Sequence, residues 1–153
     1  MPLDKSFIGK SFQPFSIEVD KSKIRELAQA LGDEKPIFRD EAVAQTGGLP
    51  GIVAPPTFVS LVKMWGEGGS SPHIRTMGGD VLRLLHGEES YEYHGLIRPG
   101  DVITGQTRVV SIDQKEARSG SLEIVVLQTD YHNQGGELVI AARTTIVLRG
   151  EAG

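Results

Sequence analysis

Cysteine is absent from this 153-residue chain. That excludes disulfides, thiolate metal ligands and thiol nucleophiles, and leaves carboxylates, imidazoles, hydroxyls and backbone amides for any chemistry. No stretch approaches the ~20 consecutive apolar residues of a membrane-spanning helix, and Met1 to Lys10 lacks the apolar centre of a secretion signal. An excess of positive charge is also missing: 16 Lys and Arg stand against 20 Asp and Glu, for a net charge of -4. The basic residues are scattered, so the footprint of nucleic-acid binding is lacking. A cytoplasmic protein without nucleic-acid or membrane partners is expected. The four histidines show no ligand spacing, and Gly78 and Gly79 form no phosphate-binding signature, so neither metal nor cofactor is expected.

What is present suits one domain spanning residues 1–153, with a helical first half and an extended second half. Ile24, Leu27, Ala28 and Leu31 recur at helical spacing, with Asp20 as N-cap and Gly32 as stop. Phe12 to Val19 reads as a first strand, and Asp40 to Gln45 as one or two helical turns. Phe58, Leu61, Val62 and Trp65 predict a second, buried helix over Thr57 to Trp65, begun by Pro55 and Pro56. Residues 66–80, rich in glycine and serine, predict a flexible loop or lid. Strands follow at Leu82 to His94, Val102 to Ile112, Leu122 to Tyr131 and Leu138 to Leu148, with a polar connector from Asp113 to Gly120. Arg98-Pro99-Gly100-Asp101 suits a type II turn. Leu138, Ile140, Ala142, Ile146 and Leu148 share a face that needs an apolar cover, and the Phe58 to Trp65 helix supplies one. The architecture expected is α+β, one long antiparallel sheet wrapped around a central helix.

Four segments carry a family resemblance: Gly32 to Phe38, Gly51 to Phe58, His86 to His94, and Arg98 to Asp101. With the helix from Asp20, they make the chain resemble MaoC-like dehydratases and (R)-specific enoyl-thioester hydratases of the hot-dog superfamily, in particular the first-half or non-catalytic type. In active members, the resemblance implies, the loop reads glycine-aspartate-x-asparagine-proline-x-histidine, and its aspartate and histidine hold and deprotonate the attacking water. Here Asp33 falls on the aspartate, Lys35 on the asparagine, Pro36 on the proline and Phe38 on the histidine. Imidazole can exchange a proton near neutral pH and phenylalanine cannot. Asp33 is therefore a degenerate catalytic position or simply the residue that turns the chain after a helix. Active hydratases of this type polarise the thioester carbonyl with N–H groups at the start of the central helix. Pro55 and Pro56 have none to give, although they also simply fix the start of the helix.

No other imidazole replaces the missing one by spacing: His86 and His94, an even number apart on one strand, share a face but stand roughly 26 Å apart. Glu88, Glu89 and Glu92 show no paired-carboxylate geometry. The function implied is an acyl-thioester-binding, non-catalytic subunit of a (3R)-hydroxyacyl-CoA or -ACP dehydratase in fatty-acyl metabolism. Its partners would be the CoA or carrier-protein thioester and, as a homodimer or hetero-oligomer, a catalytic hydratase subunit. Phe38, Pro56, Thr57, Phe58, Leu61 and Trp65 are the candidate substrate-binding residues, with Val62 and Met64 beside them, although a helical apolar stripe also reads as plain core. Two alternatives stay open: a self-sufficient hydratase with a relocated base, and a non-enzymatic hot-dog module that serves assembly or senses a small ligand and never meets a thioester.

Overall fold

The computed structural model describes residues 2–117 and 120–150. Strand β1 (Phe15–Glu18) leads into helix α1 (Lys21–Ala30), and the short α2 (Glu41–Thr46) precedes the central helix α3 (Phe58–Glu67). A further helix, α4 (Ser71–Thr76), is followed by β2 (Leu84–Tyr93), β3 (Val102–Ala117), β4 (Gly120–His132) and β5 (Leu138–Arg149). The strands form one antiparallel sheet in the order β1-β3-β4-β5-β2, which leaves β1 and β2 at its edges. This is the hot-dog architecture expected of the sequence.

Local chemistry explains the elements. The Asp20 carboxylate accepts from the Ser22 N–H to cap α1, and Gly32, at φ 66°, ends that helix in the left-handed region. Asp40 caps α2 by accepting from the Val43 N–H. In the turn before β3, Gly100 has φ 85°, and the Asp101 N–H donates to the Arg98 carbonyl at 3.1 Å.

The interior holds two apolar clusters. One gathers Phe58, Val59 and Val62 of α3 with Ile24 and Ala28 of α1, Phe15, Ile103, Tyr131, Ile140 and Ala142. The other gathers Leu3, Ile74 and Met77 with Val109, Ile112, Val125, Leu127, Ile146 and Leu148. Helix α3 therefore covers the Ile140 and Ala142 end of β5, as its alternation predicts. The Ile146 and Leu148 end is covered by α4 and the N-terminal segment instead.

Several expectations are corrected. The 66–80 segment is not a structureless loop: Gly68 caps α3 with φ 76°, and α4 follows with His73, Ile74 and Met77 buried. Glycine and serine dominate its composition, but three inward side chains are enough to dock it. Strand β3 runs on to Ala117 through the expected connector, because Asp113 to Lys115 pair with Ile124 to Leu122 of β4. Residues 118 and 119 lie outside the described residues. The buried stripe of α3 is Phe58, Val59, Val62 and Lys63, whereas Leu61 is half-buried and Trp65 is 47% exposed. The stripe is thus rotated by about one residue from the predicted one, toward the side on which Lys63 and Glu67 meet Thr144 and Thr107 of the sheet. Trp65 packs edge-on against Phe58 with the Lys23 ammonium over its ring.

Candidate functional site

The loop that carries the resemblance does not assemble an acid-base pair. The Asp33 carboxylate accepts from the Lys35 N–H and from Lys35 Nζ, each at 3.1 Å, and its own N–H donates to the Ala28 carbonyl. The Lys35 N–H, with the Lys35 ammonium and the Arg39 guanidinium, holds this carboxyl below the ordinary carboxylate range. A carboxylate so held is a weak base and no proton donor at neutral pH. Phe38 lines neither of the cavities beside β2 described below: it is 4% exposed and packs in the first apolar cluster. A Phe38→His variant is accordingly expected to gain no hydratase activity on crotonyl-CoA. It should also lose about 1–3 kcal/mol in urea denaturation, the cost of an imidazole buried without a partner. Turnover at an enzyme-like rate would contradict this.

The central helix begins at Phe58, so Pro55 and Pro56 lie just before its first turn rather than in it. The Phe58 N–H donates to the Pro55 carbonyl at 2.9 Å. Two cavities lie beside β2, one against the segment that precedes this helix and one against the helix itself. One, of about 210 Å³, is apolar and lined by Ala54, Pro55, Pro56, Leu96, Ile97 and Ile140. The other, of about 390 Å³, lies further along α3, against Thr57, Ser60, Lys63, Met64, Glu89 and Tyr91. Two tyrosines mark the division: the Tyr93 hydroxyl donates to the Pro56 carbonyl at 3.0 Å, and the Tyr91 hydroxyl meets Ser60 Oγ at 3.0 Å.

Of the expected binding residues, Pro56 lines the smaller cavity and Thr57 the larger. Phe58, at 1% exposure, joins Phe38 as core, because its side chain points down onto the sheet. Leu61 packs half-buried against that cluster and Trp65 lies outside both cavities, on the outer side of α3.

A polar belt runs between the two apolar clusters, and sequence reasoning missed it. Thr107, Thr129 and Thr144 occupy successive strands on the inward face, all buried. Thr107 pairs in register with Thr129, and Thr144 with Glu89. Helix α3 drops two charged groups onto this row one turn apart. Lys63 Nζ donates to Thr144 Oγ1 at 3.1 Å, and the Glu67 carboxylate accepts from Thr107 Oγ1 at 3.0 Å. Glu67 also meets His73 Nε2 at 2.8 Å, and Phe12 stacks on that imidazole with centroids 4.0 Å apart. Burial pushes the Lys63 amine below its ordinary range, opposed by the charges of Glu89 and Glu67, while burial drives the Tyr131 phenol far upward so that it stays neutral. The available signal was a lysine at i+4 from Val59 and a glutamate four residues on, both on the stripe of an otherwise apolar helix.

His86 belongs to this site for a reason spacing cannot reveal. A bulge at Gly87 shifts the β2–β5 register between His86 and Glu88. The two-residue alternation is thereby broken, and His86 Nε2 reaches Glu89 Oε2, three residues on, at 2.8 Å. The expectation that His86 and His94 share a face fails with it, and His94 lies beyond the end of β2. Glu89, expected on a half-solvated strand without catalytic geometry, is held by Thr144 and His86 at the larger cavity.

A long antiparallel sheet around a central helix defines a hot-dog domain. Residues 6–142 match the family described as the FAS1-like dehydratase domain region, and the chain belongs to that family. It is 36% identical to a UPF0336 protein of Saccharopolyspora erythraea over 99% of this chain and 95% of that one. It is 35% identical to a UPF0336 protein of Streptomyces avermitilis over 97% of each. Among solved structures it is similar to the C-terminally truncated HadBC (3R-hydroxyacyl-ACP dehydratase) complex from Mycobacterium tuberculosis. That match has a TM-score of 0.79 and 27% identity, over 95% of this chain and 99% of that one. The ChsH1-ChsH2 complex from the same organism shares the fold, with a TM-score of 0.80 at 24% identity over 97% and 93% of the two chains.

Proposed function

We propose that this chain is the acyl-thioester-binding, non-catalytic subunit of a (3R)-hydroxyacyl thioester dehydratase. The observation that carries the reading is the state of the Gly32 to Phe38 loop: Asp33 is tied to Lys35 and Phe38 is buried, while the cavities beside β2 persist. A domain that has lost its proton relay and kept its cavities is suited to bind. Edge strand β2 offers ten residues to a second sheet, and that is where a histidine-bearing partner would join. The heteromeric assembly of the HadBC and ChsH1-ChsH2 proteins supports such a pairing. Among the described residues no helix is long and apolar enough to cross a membrane.

The test is purification of the chain alone and co-expressed with a hot-dog subunit that carries the complete aspartate-histidine loop. The lone chain is expected to bind acyl-CoA without hydrating crotonyl-CoA, and the pair to co-elute and turn it over. A second reading rests on the His86–Glu89 contact beside Lys63, the arrangement of an imidazole base oriented by a carboxylate. It requires the lone chain to be active and Glu89→Gln to abolish that activity.

A further inference from the structure

The larger cavity has an unusual wall for a slot that holds an alkyl chain. Met64, Leu84 and Ile146 are apolar, but Lys63, Glu89, Thr144, Tyr91, Ser60 and His86 converge on the same space. Lys63 is 7% exposed, and its one hydrogen bond among the described residues goes to Thr144. An amine carries at least two N–H groups whether or not it is protonated, so Nζ retains at least one for an occupant. Thr144 in turn donates to Glu89 Oε1 at 3.0 Å, which fixes the hydroxyl that Lys63 uses and leaves it no freedom to satisfy the amine further.

Two consequences follow from the chemistry of these groups. A plain alkyl chain would strip water from the amine and return nothing, and a buried donor left unpaired weakens binding strongly. A carboxylate would bring negative charge to a place where Glu89 and Glu67 already face one lysine. What remains is a neutral acceptor oxygen on an otherwise apolar body. We propose that this cavity receives a segment of an acyl thioester that bears a hydroxyl or oxo group away from the thioester, with Lys63 as its hydrogen-bond donor. This rests on the acyl-thioester reading above. None of residues 32–38 lines the cavity, so the oxygen it reads is not held by the loop that carries the family resemblance.

The test is calorimetric titration of the full chain with octanoyl-CoA, 7-oxooctanoyl-CoA, 7-carboxyheptanoyl-CoA and free nonan-2-one, repeated on Lys63→Met and Met64→Trp. The oxo ester is expected to bind at least about 10-fold more tightly than octanoyl-CoA, as one hydrogen bond to an amine allows, with the carboxy ester weakest. Lys63→Met should erase the preference, and Met64→Trp, at an exposed position on the rim, should weaken every probe by narrowing the cavity. Equal affinity for the octanoyl and oxo esters, or a preference that survives Lys63→Met, overturns the inference and leaves the acyl-thioester reading standing. If Lys63→Met fails to fold, weakening of the oxo ester by Met64→Trp supports the cavity, and unchanged affinity overturns it. Binding of nonan-2-one alone, dependent on Lys63, removes the thioester and keeps the preference for a neutral oxygen. No binding by any probe overturns both.

Discussion

Replacing Glu67 by alanine is expected to destabilise the fold by about 2–5 kcal/mol, because two buried hydrogen-bonding groups lose their shared partner at about 1–3 kcal/mol each. The Glu67 and His73 side chains are each 7% exposed, and the carboxylate is the acceptor for both His73 Nε2 and Thr107 Oγ1. Thr107 is further joined to Thr129 at 2.8 Å, so one deletion disturbs α3, α4, β3 and β4 together. Without the carboxylate the imidazole is left buried with an unmet hydrogen bond and α4 loses its polar anchor to the sheet. Glu67→Gln keeps an acceptor oxygen and should cost clearly less. Urea denaturation of the two variants decides the matter, since a domain of this size holds only about 5–15 kcal/mol in reserve. A loss below about 1 kcal/mol for the alanine variant would show that the belt is not a stabilising hub.

The second large effect is expected at Phe15. Its ring lies between two glycines, Gly66 of α3 and Gly105 of β3, and a Cβ added at either would overlap the ring. Gly105 is also its partner across the β1–β3 pair, so a strand glycine here makes room for an aromatic side chain. Phe15→Ala should cost about 3–5 kcal/mol through the cavity it leaves. Gly105→Ala should cost about 1–3 kcal/mol through overpacking. Combined, the two should cost less than their sum, because the added methyl enters the space the ring vacated. A double-mutant cycle by chemical denaturation measures this coupling, and strict additivity would mean that the ring and the glycine do not compete for the same volume.

Much of the fold was legible in the order of residues because it depends on local rules. Helix α1 appears where Ile24, Leu27 and Ala28 recur, and the turn at Gly100 appears where proline and glycine occupy its two central positions. The inward face of β5 follows from strict alternation, since Ile140, Ala142, Ile146 and Leu148 are all buried. The candidate site was harder to read. Phe38 could be recognised as a missing imidazole, but not as a core residue, because its letter is the same in a pocket wall and in a packed interior. Helix α4 escaped detection since only His73, Ile74 and Met77 commit it to the interior, too few for a period to show.

The chain's own order of residues determined the class of fold, the absence of a histidine at position 38 and the inward face of β5. Tertiary structure alone decided which polar side chains meet inside. Thr107, Thr129, Thr144 and Glu89 become neighbours only through strand register, and His86 reaches Glu89 only because a bulge at Gly87 breaks the alternation. Periodicity records which way a side chain faces relative to its own element. It carries no information on the partner brought opposite, and one inserted residue is enough to reverse the face it predicts.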